Sequence, residues 1–207
     1  MVDVTESAWA TASGPIEVLF YVDDDDRVSI EAAKSLDCRA VVGPRITLSA
    51  CYNETAKVAK GNILHQCCDS VIFETPGWDV LVAAEFAKVK DKILLVFGRD
   101  GIHDGGGATL PFIHRRWMET IGRFVPPYFS CDFCDTWNYE IAQSLGRAVY
   151  LPTILTLHRH PLAGTAPLDQ THLERMARGE ADDVEGLFHR LAPERAAEAE
   201  LLRAVMR

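Results

Sequence analysis

The sequence lacks the long apolar run that a membrane-spanning helix needs. Such a helix takes about 20 consecutive apolar residues, and no stretch of the 207-residue chain approaches that length. The opening residues, MVDVTESAWATASG, also lack the basic and apolar segments of a secretory signal. We therefore expect a protein without a membrane span and with a cytoplasmic location.

An excess of basic residues is missing as well. The chain has 21 Lys and Arg residues against 30 Asp and Glu residues, which gives a formal net charge of -9. A surface of this sign disfavours non-specific binding to nucleic acid and to anionic membranes. We expect no nucleic-acid partner, although a bound cation would still allow the protein to hold an anion.

The cysteine pattern indicates neither a disulfide framework nor a complete zinc site. The six cysteines are Cys38, Cys51, Cys67, Cys68, Cys131 and Cys134. In a cytoplasmic chain such thiols are usually reduced. Cys131 and Cys134 have the spacing of half a zinc site, but no second pair of that spacing supplies the remaining two of four ligands. Zinc is therefore a minor alternative.

Strand-like and helix-like segments alternate along the chain. We predict strands at 16–22, 40–42, 62–66, 92–97, 148–151 and 154–157. We predict helices at 29–36, 48–60, 78–88, 114–121, 135–145 and 193–207. The alternation is typical of a layered α/β sheet, and 48% hydrophobic residues are enough to form its core. We expect one α/β domain over residues 1–172 and a helical tail over 173–207.

Acidic residues follow two of these predicted strands. The stretch LFYVDDDDRVS places four aspartates, Asp23 to Asp26, directly after the first strand, and Cys67-Cys68-Asp69-Ser70 follows the strand at 62–66. Ligands of α/β sheets bind beyond the carboxyl ends of the strands. The two stretches are therefore expected to share one site, with a solvated turn as the alternative for the aspartate run.

The order of the motifs resembles a known family. The stretches are YVDDDD, GPRITLSACYNETAKVAKGNIL, CCDSVIFETPGWD, HRRWMETIGRFVPPYFSCDFCDTW and TLHRHPLAG, which together cover roughly residues 15–172. As an ordered set they resemble the GT-A fold glycosyltransferases, in particular the family 2-like members. The resemblance implies a GT-A-like (Rossmann-like) mixed sheet flanked by helices. It also implies sugar transfer from a nucleoside diphosphate sugar to an acceptor hydroxyl.

The resemblance implies roles for individual residues. The residues matching nucleotide-binding positions are Asp23, Asp25, Arg45, Asn53 and Asp69, with Asp23 reading the base and Arg45 and Asn53 lining the base and ribose pocket. The residues matching metal-binding positions are Asp69, His158 and His160, of which the two histidines are alternatives or act together. The implied cofactor is Mn²⁺ or Mg²⁺, because a divalent cation neutralises the diphosphate that leaves.

Asp135 matches the acid that activates the acceptor hydroxyl, and it is our predicted catalytic base. A positioned base typically contributes about 10²- to 10⁴-fold to a rate. At the predicted start of a helix the dipole would favour its ionised form. The same position suits a helix N-cap, so a capping role is the alternative, and Asp132 is a second candidate base.

Two departures from the family support other functions. Ser70 stands where the family usually has a second acid, often the direct metal ligand. Only about fifteen residues precede the first predicted strand, so we expect the family's first strand-helix unit to be missing, with ESAWATAS as the end of its helix. The alternatives are a non-catalytic nucleotide-binding module and a metal-dependent nucleotidyltransferase or phosphohydrolase.

Overall fold

Helices and strands alternate along the chain, as predicted. The computed structural model describes residues 1–36 and 38–207. Its strands are β1 (Leu19–Asp23), β2 (Arg39–Gly43), β3 (Ile63–His65), β4 (Val71–Phe73), β5 (Leu95–Arg99), β6 (Phe112–His114) and β7 (Ala148–His158). Its helices are α1 (Val2–Thr11), α2 (Arg27–Ser35), α3 (Leu48–Val58), α4 (Trp78–Lys88), α5 (Arg115–Ile121), α6 (Cys134–Ser144), α7 (Gln170–Ala181), α8 (Val184–Arg190) and α9 (Ala192–Val205). None of these described helices is long and apolar enough to cross a membrane.

The strands form two separate sheets. Within the described residues, a mixed sheet of five strands has the order β3-β6-β5-β7-β4, and β1 and β2 form a parallel pair of their own. In the larger sheet β5 and β7 are parallel, whereas β6 is antiparallel to both β3 and β5. It follows that β3, β5 and β7 run in the same direction and that their carboxyl ends lie at one edge.

Helices cover both faces of the larger sheet and form two apolar cores. One core contains the fully buried Trp117, Phe129 and Trp137, with side chains from α3, α5, α6, α8 and α9. The other contains Val82 and Phe86 of α4, together with side chains from α1. Alternate residues of a strand point to opposite faces, so the same buried strands contribute side chains to both cores. The predicted mixed α/β class, with helices flanking the sheet and C-terminal helices, is confirmed.

The last strand differs from its prediction. Two strands, 148–151 and 154–157, were predicted; instead one strand, β7, runs through both, although Pro152 cannot donate to a ladder. The register between β5 and β7 shifts between Gly98 and Arg99, so that residues 152–154, which begin with Pro152, leave the pairing as a bulge. Gly98 is needed here, because a Cβ would lie 2.7 Å from the carbonyl oxygen of Ile154.

The C-terminal helices pack into the core. The predicted tail helix at 193–207 is observed as α9, and α7 and α8 precede it. Phe188 of α8 and Leu202 of α9 are buried in the same core as Trp137. The indole Nε1 of Trp137 donates a hydrogen bond of 2.8 Å to Glu198 of α9. The division at residue 172 stays a prediction, but α8 and α9 share a core with α6.

Candidate functional site

The carboxyl ends of β3, β5 and β7 lie at one edge of the larger sheet. β1 begins beside β3, since Glu17, just before β1, accepts hydrogen bonds from the backbone N–H groups of Lys60 and Gly61, just before β3. Ligand sites of α/β sheets form at the carboxyl ends of such strands. We therefore place the candidate site at this edge.

Helix α3 lies between the ends of β1 and β3. Burial raises the pKa of the Cys51 thiol to about 11, and the charge of Asp23 contributes to the increase. Burial also raises the pKa of Tyr52, with contributions from Cys68 and other ionisable groups. Adjacent residues of α3 thus interact electrostatically with Asp23 and with Cys68. The structure brings the two acidic stretches to the same edge.

The four aspartates after β1 have different surroundings. Asp26 is the N-cap of α2, where its Oδ1 accepts a hydrogen bond of 3.0 Å from the backbone N–H of Ser29. Asp23 forms an ion pair of 2.9 Å with Nε of Arg45. That hydrogen bond raises the pKa of Arg45, and the charges of Asp23 and Asp25 add to the effect. Asp24 and Asp25 are exposed. The structure therefore brings Asp23, Asp25 and Arg45 together.

The turn after β3 presents one exposed acid. The side chain of Asp69 is 73% exposed, and its carboxylate lies 3.8 Å from the amino group of Met1. The hydroxyl of Ser70 lies 3.2 Å from Sγ of Cys68, which in turn lies 3.5 Å from Nε2 of His158. Ser70, which stands where a second acid was expected, thus contacts the Cys68 thiol.

Three histidines line the adjacent end of β7. The ring centroids of His158 and His160 are 5.3 Å apart, and those of His160 and His172 are also 5.3 Å apart. Burial lowers the pKa of both His158 and His160, so both imidazoles are neutral at pH 7. In His160, Nδ1 accepts a hydrogen bond of 3.2 Å from the backbone N–H of Leu162. The proton of this neutral ring therefore lies on Nε2, which is a hydrogen-bond donor.

The implied metal ligands have suitable chemistry but are not assembled into a site. The exposed Asp69 carboxylate and the neutral His158 imidazole suit a divalent cation such as Mn²⁺. His160 would first have to release Leu162, because its Nδ1 lone pair is already used. Over residues 1–36 and 38–207, no three His, Cys, Asp or Glu side chains are close enough together to hold a metal ion.

Asp135 lies inside the first turn of α6 and does not cap the helix. Phe133 is the N-cap, and Oδ1 of Asp135 accepts a hydrogen bond of 2.8 Å from the backbone N–H of Thr136. Burial raises the pKa of Asp135 from its ordinary value of 3.8 to about 6. We expected the helix dipole to favour the ionised form, but burial outweighs it. A carboxyl group that titrates near the working pH suits a general base.

Asn53 has a structural role. Its Oδ1 accepts hydrogen bonds from the backbone N–H groups of Phe124 and Val125 at 2.9 and 3.1 Å, and its Nδ2 donates to the Val125 carbonyl at 3.0 Å. These three bonds attach the loop after α5 to α3. The predicted contact with a ribose stays a prediction, and one N–H of the amide is left for it.

We expect Asn53→Ala to lower the free energy of unfolding by about 2 kcal/mol, because two buried backbone N–H groups would lose their acceptor. Urea unfolding followed by tryptophan fluorescence measures this change. Glu54→Ala, a neighbouring position whose carboxylate pairs with Lys57 on the helix surface, is the control and should change stability by less than about 1 kcal/mol. Equal stability of wild type and Asn53→Ala would contradict the structural role.

Asp100, at the end of β5, was missed by the sequence reasoning. Its side chain is buried, and Oδ1 accepts hydrogen bonds from the backbone N–H groups of Ile102, His103 and Asp104. Burial opposes its ionisation, yet these bonds hold its pKa below the ordinary value. The backbone carbonyl of Asp100 accepts a hydrogen bond of 2.8 Å from the N–H of His158. The available signal was its place directly after the apolar strand, the same signal that identified Asp23.

The Cys131 and Cys134 pair is buried among protein groups. Sγ of Cys134 lies 3.1 Å from the hydroxyl of Ser49, and burial raises the pKa of this thiol to about 12. Sγ of Cys131 donates to the backbone carbonyl of Arg175 at 3.8 Å. Both side chains therefore pack as thiols between α3, α6 and α7.

No protein-family model, curated protein or solved structure matches this chain. The resemblance to GT-A glycosyltransferases therefore stays a prediction.

Proposed function

We propose that the chain binds a nucleoside diphosphate sugar at this edge and transfers the sugar to an acceptor hydroxyl. The observation that supports the proposal most is the position of Asp135. The Asp135 carboxyl has a pKa of about 6, and its charge acts on Tyr52 together with those of Cys67 and Cys68. Asp135 is thus an acid that can accept a proton near physiological pH, and Asp69 is an exposed acid at the end of β3.

The nucleoside end of the donor is assigned to the β1 side of the edge. Arg45 holds the Asp23 carboxylate in place, and that carboxylate accepts hydrogen bonds from the N–H groups of a base. The guanidinium of Arg45 is 71% exposed and uses only Nε for Asp23. Its two remaining nitrogens are free to donate to a phosphate or ribose oxygen. Asp25 adds negative charge that keeps the guanidinium in this position.

The diphosphate end is assigned to the β3 and β7 side. A divalent cation held by Asp69 and His158, with His160 if it releases Leu162, would neutralise the leaving diphosphate. While Nδ1 of His160 accepts the hydrogen bond from Leu162, its Nε2–H would donate a hydrogen bond to a phosphate oxygen. Asp135 accepts the proton of the acceptor hydroxyl while that oxygen forms its bond to the sugar.

A second candidate function is nucleotide binding without transfer. Ser70 favours this reading, because its hydroxyl is next to the Cys68 thiol and leaves Asp69 as the single acid of the turn. Such a module would bind the nucleoside diphosphate but release none from a sugar donor. A nucleotidyltransferase or phosphohydrolase would release pyrophosphate or phosphate, so the products distinguish all three.

Isothermal titration of the purified chain with UDP and with GDP, each with and without Mn²⁺, tests the nucleotide site. We expect Asp23→Ala to weaken binding by about tenfold or more, as befits the loss of a hydrogen bond to a charged group. We expect Asp69→Ala to remove the Mn²⁺ dependence. Asp24→Ala is the matched control, since Asp24 is exposed and adjacent, and it should bind like the wild type.

Release of nucleoside diphosphate from UDP- and GDP-sugars, measured with a coupled assay, then separates transfer from simple binding. Binding without release supports the second candidate function. No binding of either nucleotide under any of these conditions would show that the proposed function is wrong.

A further inference from the structure

Two strand edges face each other across a groove. β1 pairs only with β2, and β3 is the outer strand of the larger sheet, so within the described residues each has one edge without a strand partner. A cavity of about 540 Å³ is lined on one side by Leu19, the first residue of β1, and the segment 14–18 before it. On the other side all three residues of β3 line it. Unpaired strand edges offer backbone donors and acceptors to an incoming strand.

The groove lies at the level of the sheet, between the two helix layers. On one side Val4 of α1 and Val82 of α4 line it. On the other side Tyr52 and Ala56 of α3 line it. An extended segment in this position would have helices on both of its faces. A strand buried on both faces is apolar along its whole length.

Charge at one end of the groove sets a direction for such a segment. Glu17 and Asp79 both line the cavity near the starts of β1 and α4. Glu17 is already paired with Arg39 at 2.8 Å, so Asp79 supplies the negative charge that a basic residue of the segment would meet. Hydrogen bonds from the Ser13 and Gly14 N–H groups hold the pKa of Asp79 below its ordinary value against the opposing effect of burial, so it is ionised at pH 7. A strand parallel to β1 and β3 would begin at this acidic end. Basic residues at its start would be favoured there.

We propose that the groove binds an extended apolar segment of a partner polypeptide, which adds as a parallel strand between β1 and β3. The segment would be about five to six residues long, because strands rise about 3.3 Å per residue and the stretch 14–19 that lines the groove opposite β3 has six residues. Backbone hydrogen bonds to both edges would give affinity, as in other cases of strand addition. The added strand would join the two sheets into one and link the strand that ends in Asp23 to the strand that leads to Asp69.

A strand is favoured over a lipid or other apolar small molecule by the two free edges. Both edges carry N–H and C=O groups that an acyl chain cannot pair, and a buried backbone group without a partner is costly. A peptide satisfies these groups and fills the apolar space at once. This inference does not depend on the proposed function.

Titration with the peptide Ac-KKVIVLV-NH2, followed by calorimetry and by backbone amide NMR, tests the proposal. We expect saturable binding and slower hydrogen exchange for amides of β1 and β3. The matched control peptide, Ac-KKVPVLV-NH2, has similar apolar character, but its proline removes a ladder donor. It should bind at least about tenfold more weakly, which corresponds to the loss of about one hydrogen bond.

Two variants of α4 test the location. Ala83 is exposed and lines the groove, whereas the adjacent Ala84 is exposed and does not line it. Ala83→Phe should lower the affinity for the apolar peptide by about tenfold or more, because the larger side chain excludes it sterically. Ala84→Phe should leave the affinity unchanged. Because both alanines are exposed, both variants should fold, which far-ultraviolet circular dichroism checks.

Three results would overturn the proposal. Absence of binding up to 1 mM peptide would do so, and equal binding of the two peptides would show that no strand pairing occurs. A concentration-dependent dimer in sedimentation that Ala83→Phe prevents would assign the groove to a second copy of the chain instead. None of these results bears on nucleotide binding at Asp23, so this proposal and the proposed function fail separately.

Discussion

Asp135→Asn is expected to reduce sugar transfer by about 10²- to 10⁴-fold, the usual contribution of a positioned general base. Asparagine has nearly the same shape as aspartate but cannot accept the proton of the acceptor hydroxyl. Nucleotide affinity should stay within about twofold of the wild type, because Asp135 is assigned to the acceptor side. The measurement is release of nucleoside diphosphate at saturating donor. Asp132→Asn tests the second candidate base, whose carboxylate pairs with Arg175 on the surface, and it should transfer at nearly the wild-type rate if Asp135 is the base.

The pH dependence of stability tests Asp135 without any substrate. Its pKa is raised on folding, so its contribution to stability is fully present below about pH 4 and is lost as pH rises through about 6. The gap between 3.8 and about 6 corresponds to at most roughly 3 kcal/mol. Asp135→Asn should therefore match the wild type at pH 4 in urea unfolding and exceed its stability by up to that amount above pH 6.

The rate of sugar transfer should rise over the same pH range in which the stabilising contribution of Asp135 is lost. The base must be ionised to accept a proton, so the wild-type rate should rise with pH through about 6 and then level off. Full transfer activity in Asp135→Asn would contradict the catalytic assignment. Equal stability of the two proteins at pH 8 would contradict the burial of an ionised carboxylate. The two outcomes are independent.

Glu198→Ala is expected to lower the free energy of unfolding by about 3 to 5 kcal/mol, the typical cost of removing one partner from a buried ion pair. Glu198 of α9 is buried and bonds to both the Trp137 indole and the Arg123 guanidinium. Its removal would leave an indole N–H and a partly buried cation without their acceptor. It would also weaken the attachment of α9 to α6. Urea unfolding followed by tryptophan fluorescence measures the loss.

Two further variants separate charge from hydrogen bonding at this position. Glu198→Gln keeps an acceptor for Trp137 and should lose less stability than Glu198→Ala. Glu200→Ala, two residues along α9 on its exposed side, removes a carboxylate that pairs with Arg203, and it should change stability by less than about 1 kcal/mol. Equal losses at the two glutamates would show that the buried network contributes nothing beyond a surface pair.

Local pattern was sufficient to predict several elements. Residues 78–88 were predicted as a helix and are observed as α4 with the same bounds. The apolar run at 92–97 was predicted as a buried strand, and Leu95 and Val96 of β5 are fully buried. In both cases the signal is short-range, since a helical period or a continuous apolar run can be recognised in a window of about ten residues. The three-residue strands β4 and β6 were missed because they are too short to show a period. The strand β3 has the same length but was predicted as part of the longer run 62–66.

The candidate site was predictable only in part. That acids following strands lie at one edge of the sheet follows from strand direction, and Asp23 and Asp69 were identified on that basis. The structural role of Asn53 was not predicted, because its partners Phe124 and Val125 are about seventy residues away in the chain. Asp100 was passed over because its burial depends on the loop that folds back over it.

By itself the sequence determined the α/β class, the order of most helices and strands, and the acids that follow β1 and β3. These depend on the apolar period and on residues adjacent in the chain. Only the tertiary structure decided that burial raises the pKa of Asp135, that Glu17 links the starts of two strands, and that β1 and β3 leave a groove between two sheets. Each of these properties depends on contacts between residues far apart in sequence, and no local pattern encodes such contacts.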